Sequence, residues 1–247
     1  MRIYGTLATS HLTLLAVPLG LLLAAFLWFF GTTTRQITDS AIRDGATAMT
    51  RMAQDELTSQ VYGTLTAVSA IKRQQVMAYF ANAAMLIETL ALSGDVASLS
   101  VSMQRHLRDI QAAPERPIDV EVFAYTEMWE HFIARFRPYV DTLGYYDLFL
   151  IAPSGHVVFT VAREPDLGTN LAVGSLSASG LGNAWKRAVE ENKTVMTDFE
   201  PYAPSQGAPA SFLATPVHQD GKIIGVLAVQ MPLTRINTIM HERTGLG

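Results

Sequence analysis

The sequence predicts an α+β chain built in three stretches: a transmembrane N-terminal helix, a long helical stalk, and an antiparallel five-stranded sheet with flanking helices. Three observations carry that reading. Residues 12–30 are apolar and uncharged. Residues 32–92 repeat apolar side chains at helical spacing without a proline. Beyond Gly144 the pattern breaks into short β-rich runs parted by turns. The expected boundaries are 1–31 for a cytoplasmic N-terminus with its anchor, 32–140 for the stalk and helical region, and 141–247 for the sheet module.

Composition narrows the functional classes. Of 247 residues, 49% are hydrophobic and only 16% charged, against roughly a quarter charged in ordinary globular chains. Much of the apolar excess lies before Gly31. A net charge of −4 without a basic stripe argues against a nucleic-acid partner. Cysteine is absent, which excludes a disulfide scaffold, a thiolate metal site and a cysteine nucleophile.

The run 12–30, LTLLAVPLGLLLAAFLWFF, has the length of a membrane span, since about 20 apolar residues at 1.5 Å each cross the ~30 Å hydrocarbon core. Trp28 suits the interfacial aromatic belt. A cleaved signal peptide has a shorter apolar core and a small-x-small site, whereas this run ends in Trp28-Phe29-Phe30. An uncleaved anchor is expected. Arg2 and the terminal amine stand on one side of it, Arg35 and Arg43 on the other, so charge alone does not orient it.

From residue 32 to about residue 92 glycine occurs only at Gly45 and Gly63. Leu57, Val61, Leu65, Val68, Ile71, Val76, Tyr79, Phe80, Ala83, Leu86, Ile87 and Leu90 form one helical face. A helix of that length, about 90 Å, reads as a stalk paired with a second copy of the chain. The alternative is two or three bundle helices broken near Gly63. Ser93-Gly94-Asp95 ends the spine, residues 96–113 form a further helix closed by Pro114 and Pro117, and residues 121–140 form a third amphipathic stretch.

Strands are expected at 147–152 (DLFLIA) and 156–161 (HVVFTV), joined at Pro153-Ser154-Gly155. A helix at 177–192 presents Leu181, Trp185 and Val189. A short strand at 194–197 leads into a loop at 198–208, and strands at 211–217 and 223–231 flank an Asp220-Gly221 turn. The helices are expected on one side of the sheet. A last helix covers 233–242.

These pieces resemble a PAS-like Cache module, the extracytoplasmic sensor of bacterial chemoreceptors, sensor kinases and membrane cyclases. The resemblance rests on the strand–turn–strand, the helix, the DFEPYAPSQG loop and the TPV…DGKIIGVLAVQM ending, with Lys72–Phe80 similar to the preceding helix. It covers roughly residues 65–245. It implies a small ligand held between the sheet and its loops, and an N-terminus in the cytoplasm with the main domain outside the bacterial cell membrane. It further implies, in amino-acid-binding members, an Arg-x-Trp-Tyr motif, a loop tyrosine and an aspartate on the last strand. Here Asn183-Ala184-Trp185-Lys186, Tyr202 and Gln230 stand at those places. The tryptophan and tyrosine agree, while Asn183 and Gln230 replace the two charged groups. A zwitterion would lose both charge-assisted contacts.

The candidate ligand-facing residues are therefore Trp185, Tyr202, Gln230, Asn183, Asp198, Phe149 and Ser211. Strand alternation puts Ile224, Val226, Ala228 and Gln230 on one face, and Gln230 either meets ligand or is satisfied by the loop. Trp185 on its helix reads as core more often than as a ligand platform, Tyr202 as a loop anchor as readily as a pocket lid, and Asp198 as the cap of the turn before Pro201 more than as a ligand acceptor. The histidines lack HxH, HxxxH and HExxH spacing, so no metal is expected. Ser154 lacks a nucleophile-elbow context and the glycines around Gly180 lack a phosphate-cradle pattern. No cofactor and no enzymatic activity are expected. The expected function is small-molecule sensing in a receptor, chemoreceptor-like, relayed along the stalk. The alternatives are the sensor of a cyclase or kinase, or a non-sensing membrane-anchored interaction protein. No output domain or return span precedes Gly247, so a fragment or truncated product is expected.

Overall fold

The computed structural model describes residues 4–242, with side chains from Val17 onward. Arg2, the side chains of residues 4–16 (His11 and the start of the expected anchor among them) and residues 243–247 lie outside the described residues. The chain forms two units, Met1–Ala67 and Val68–Gly247. Residues 68–140, grouped with the stalk by sequence, pack in the same unit as the sheet.

The first unit is helical, formed by part of α1 (Tyr4–Ala91), which runs through Pro18, Gly45 and Gly63 without a break. Among the described residues this one helix is long and apolar enough to cross a membrane, with a mean hydropathy of 1.7 in its apolar window. Leu21, Leu22, Leu23, Phe26, Trp28, Phe29 and Phe30 are all exposed. Thr32, Thr33 and Thr34 fold their hydroxyls back onto the carbonyls of Phe29 and Phe30, at 3.0, 2.8 and 2.7 Å. Further along, Ile37, Ile42, Met49, Met52, Leu57, Val61 and Leu65 remain exposed.

The second unit is built on a six-stranded antiparallel sheet: β1 (Asp147–Ile151), β2 (Val157–Thr160), β3 (Val195–Met196), β4 (Glu200–Tyr202), β5 (Ala208–Gln219) and β6 (Lys222–Pro232). Its order is β2-β1-β6-β5-β3, with β4 also paired to β5. The sixth strand lies inside the expected loop. Prolines hide it from the sequence pattern, because Pro201 pairs opposite Pro209 at the sheet margin, where neither has an N–H to give. The β5–β6 hairpin closes at Asp220-Gly221, whose positive φ values of 50° and 74° match the primed turn that suits strand twist.

Helices cover both faces of the sheet, not one. α2 (Gly94–Asp109), α3 (Phe123–Leu143) and the end of α1 pack over Leu148, Leu150, Leu213, Leu227 and Val229. α4 (Gly180–Glu191) covers Phe149, Ile151, Phe212, Ala214, Val226 and Ala228. Every residue of β1 and β2 is buried, and apart from Asp147 and Thr160 at their ends they are the near-continuous apolar runs expected of strands covered on two sides. Ile224 is a second correction. A register shift beside His218 leaves it extra in the ladder, so it packs with the α1–α3 layer and not with Val226 and Ala228.

Side chains fasten the layers at their ends. Ser93 caps α2 and Ser179 caps α4. Tyr125 and Trp129 of α3 donate to the carbonyls of Val158 and Thr160 on the terminal strand β2, each at 2.9 Å, so this sheet edge is not left open. Lys72, buried on α1, donates to the carbonyl of Ile239 at 2.6 Å and to that of Glu242, at the end of α5 (Leu233–His241). An ammonium there meets carbonyls that a helix C-terminus leaves unpaired. Lys72→Met is expected to cost about 1.5–3 kcal/mol of unfolding free energy in urea titration. It should also speed amide exchange within residues 233–241. Unchanged exchange there would show that Lys72 does not hold α5.

Candidate ligand site

On the α4 face of the sheet, apolar rows give way to polar ones at one end. Thr160, Phe149, Ala228 and Ala214 form one row across β2, β1, β6 and β5. The next row, two residues on, is Asp147, Gln230 and Phe212. Phe212 is the hinge of the aromatic wall, with Phe149 at 6.0 Å and Tyr202 at 4.8 Å between ring centroids, both edge-to-face.

The strands and the loops beside them bring together a polar cluster. Tyr202 is 1% exposed, and its hydroxyl donates to Asp166 Oδ2 at 2.8 Å. Gln230 is buried and its amide nitrogen donates to Ser205 Oγ at 3.1 Å. The Ser205 hydroxyl donates to Glu164 Oε2 and that of Tyr146 to Glu164 Oε1, both at 2.6 Å. Asp147 accepts the backbone N–H groups of Leu148, Val161 and Ala162 on Oδ1 at 2.7, 2.8 and 3.0 Å, pinning the end of β2 to the start of β1. Asp147 Oδ2 and Asp166 Oδ1 are buried without a hydrogen-bond partner, and so is Trp185 Nε1.

Burial dominates the electrostatics. Burial first, with the Asp166 charge adding, lifts Asp147 to about 7 against the pull of its backbone donors. Burial lifts Asp166 to about 6, the Tyr202 hydroxyl opposing and the Glu164 charge adding. The Tyr202 hydroxyl is raised well above the usual phenol range, by burial first and then by the charges of Asp166, Asp147 and Glu164. Three carboxylates thus bear on one hydroxyl.

Of the residues singled out by sequence, Phe149, Tyr202 and Gln230 meet at this site, and Trp185 on α4 packs half-buried against its core. Three others do not join them. Asn183 is exposed and its side-chain nitrogen reaches the Ala178 carbonyl at 3.5 Å. Asp198 is exposed. Ser211, one residue out of phase with Phe212, points to the α1–α3 face opposite Met231 and donates to the Thr197 carbonyl at 2.7 Å. Asp147, Asp166, Glu164, Ser205 and Tyr146 were not anticipated. Asp147 could have been found by alternation, as the polar first residue of DLFLI in phase with Phe149. A separate hollow of about 400 Å³ lies between α2 and the β1–β2 turn, lined by Gln104, Arg108, Ser154 and His156, and touches none of these residues. Among the described residues no group of three or more His, Asp or Glu has metal-binding geometry.

No family model and no curated protein matches the chain. Solved structures do. The sensor domain of the V. cholerae histidine kinase DctB superposes with a TM-score of 0.50 at 14% identity, over 70% of this chain and 56% of that one. The ligand-binding domain of the Pseudomonas aeruginosa amino-acid chemoreceptor PctC, in complex with GABA, gives 0.42 at 15% identity, over 72% and 63%. That of the Pseudomonas fluorescens chemoreceptor CtaA, in complex with L-serine, gives 0.36 at 18%, over 71% and 67%. At such identities the DctB match shows a shared fold, that of a sensor domain. The chain spans just over half of that domain's length.

The two raised carboxyls make stability fall with pH. Each binds its proton more tightly folded than unfolded, so its contribution is complete below the unfolded value near 3.8 and is lost as pH rises through about 6 to 7. The melting temperature should therefore decline between about pH 4 and pH 7 and level off above that. Asp147→Asn keeps an acceptor for the three N–H groups and should flatten that decline. Parallel slopes for variant and wild type would contradict the assignment.

Proposed function

We propose that this chain is the extracytoplasmic sensing part of a bacterial membrane receptor, holding a small molecule on the α4 face of its sheet beneath Tyr202. The observation that carries this reading is the buried polar cluster on a sensor-type sheet. A module used only for docking or anchorage has no need of unpaired acceptors in its interior, which lower its stability. The fold shared with the DctB sensor domain supports the same reading. The output proposed for the receptor is of the chemoreceptor type.

The apolar start of α1 serves in this reading as the anchor in the inner membrane, with the N-terminus cytoplasmic and the second unit periplasmic. The exposed apolar face at Leu57, Val61 and Leu65 serves as the contact between two copies. A route from site to helix exists within the second unit. Asp147 and Phe149 face the site, while Leu148, between them, packs in the cluster that holds Ile87 and Leu90 of α1. A shift of β1 on binding is therefore felt by the helix that leads to the membrane.

The test is a thermal-shift screen of the purified chain against a broad set of small metabolites. A ligand should raise the melting temperature saturably, by about 2.7 kcal/mol of added stability at a hundredfold excess over Kd. Phe149→Ala should weaken that response, while Asp198→Ala should not. Absence of any stabiliser, or responses indifferent to Phe149, would overturn the reading.

A further inference from the structure

We propose that the site beneath Tyr202 is built for a small organic cation, a protonated amine seated between Asp147 and Asp166. The inference rests on the sensing function just proposed and names the chemical class of its ligand.

Acidic residues alone would not make a site; what points to a ligand is the state of their oxygens. Glu164 is complete, with one hydroxyl donor on each oxygen, from Tyr146 and Ser205. Asp147 spends three N–H donors on Oδ1 and has none on Oδ2. Asp166 has the Tyr202 hydroxyl on Oδ2 and nothing on Oδ1. Both aspartates are 0% exposed. Gln230, paired directly across the ladder from Asp147, has on its carbonyl oxygen only a long contact from Ser205, at 3.5 Å.

The cluster also lacks a counter-charge of its own. Among the described residues no lysine, arginine or histidine donates to Asp147, Asp166 or Glu164, whose donors are backbone N–H groups and hydroxyls. The nearest cation in sequence, Arg163, turns away to Glu121 at 3.2 Å and lies 4.8 Å over the Trp129 ring. An ammonium brings three N–H donors and a positive charge. Those three donors answer Asp147 Oδ2, Asp166 Oδ1 and the Gln230 carbonyl. The wall beside them is aromatic, with Phe149, Phe212 and Tyr202, and Trp185 packed against the same core. Such a wall suits the hydrocarbon part of an amine and a cation near its ring faces. A carboxylate or phosphate would instead meet like charges in a buried setting.

The experiment compares matched probes on the full purified chain at about pH 8, where the aspartates are free to ionise. Butylamine, putrescine and tyramine are set against butyrate, succinate and butanol at constant ionic strength. The amines should raise the melting temperature saturably and the others should not. Asp147→Asn and Asp166→Asn should each weaken amine binding about tenfold or more, while the exposed control Asp198→Asn should leave it unchanged. Circular dichroism at 25 °C identifies any variant that fails to fold, and the probe comparison on wild type stands without the variants. Amines that do nothing, or that stabilise the Asn variants as well as wild type, overturn the inference. If acids or neutral compounds stabilise instead and Phe149→Ala abolishes their effect, only the cationic class falls and the sensing function stands. If no compound of any class stabilises the chain, both fall.

Discussion

A sheet buried on both faces admits polar side chains only where something satisfies them, and the rest of this fold follows from that constraint. β1 and β6 lie between two helical layers, and nearly every inward position on them is apolar. On the α1–α3 side the apolar surface is continuous through Leu148, Leu150, Leu227, Val229 and Met231. On the α4 side it stops at the row of Asp147 and Gln230. The interruption is the only place along these ladders where the interior turns acidic, and Tyr202 at the end of β4, with Ser205 in the turn after it, packs against it.

Asp147 has two jobs that its two oxygens divide. Oδ1 gathers three backbone N–H groups and so fixes the corner where β2 ends against β1. Oδ2 has no such structural employment. A carboxylate used only as a corner brace would gain from a neutral substitute, since burial penalises its charge. Its free oxygen, the neighbouring free oxygen of Asp166 and the absence of a local cation make chemical sense together when the missing partner comes from outside the chain.

Much of the fold could be read from residue order. Run length and β-branched content located β1, β2, β5 and β6, and Asp220-Gly221 marked their second hairpin. Proline concealed β4, because Pro201 breaks the alternation by which strands are recognised. The two-sided helical cover is legible in DLFLI and VVFT, runs with no polar alternation, although an antiparallel sheet by itself suggests helices on one side only. The placement of Ile224 was beyond alternation, since one extra residue in the ladder reverses which face it meets.

The site divides the same way. Gln230 was visible as a polar exception on an apolar strand and Tyr202 as the aromatic of a proline-rich loop. Ser211 was misplaced by one step of phase, the step that sets it opposite Met231. Asp166 and Glu164 lie in an irregular segment with no period, so only the folded chain brings them to Tyr202. Hydrogen–deuterium exchange across the chain, with and without a saturating stabiliser, tests the central claim most directly. Protection should concentrate in residues 200–207 and at the adjoining ends of β1 and β6. Protection confined to the α1–α3 layer, with residues 200–207 unchanged, would contradict it.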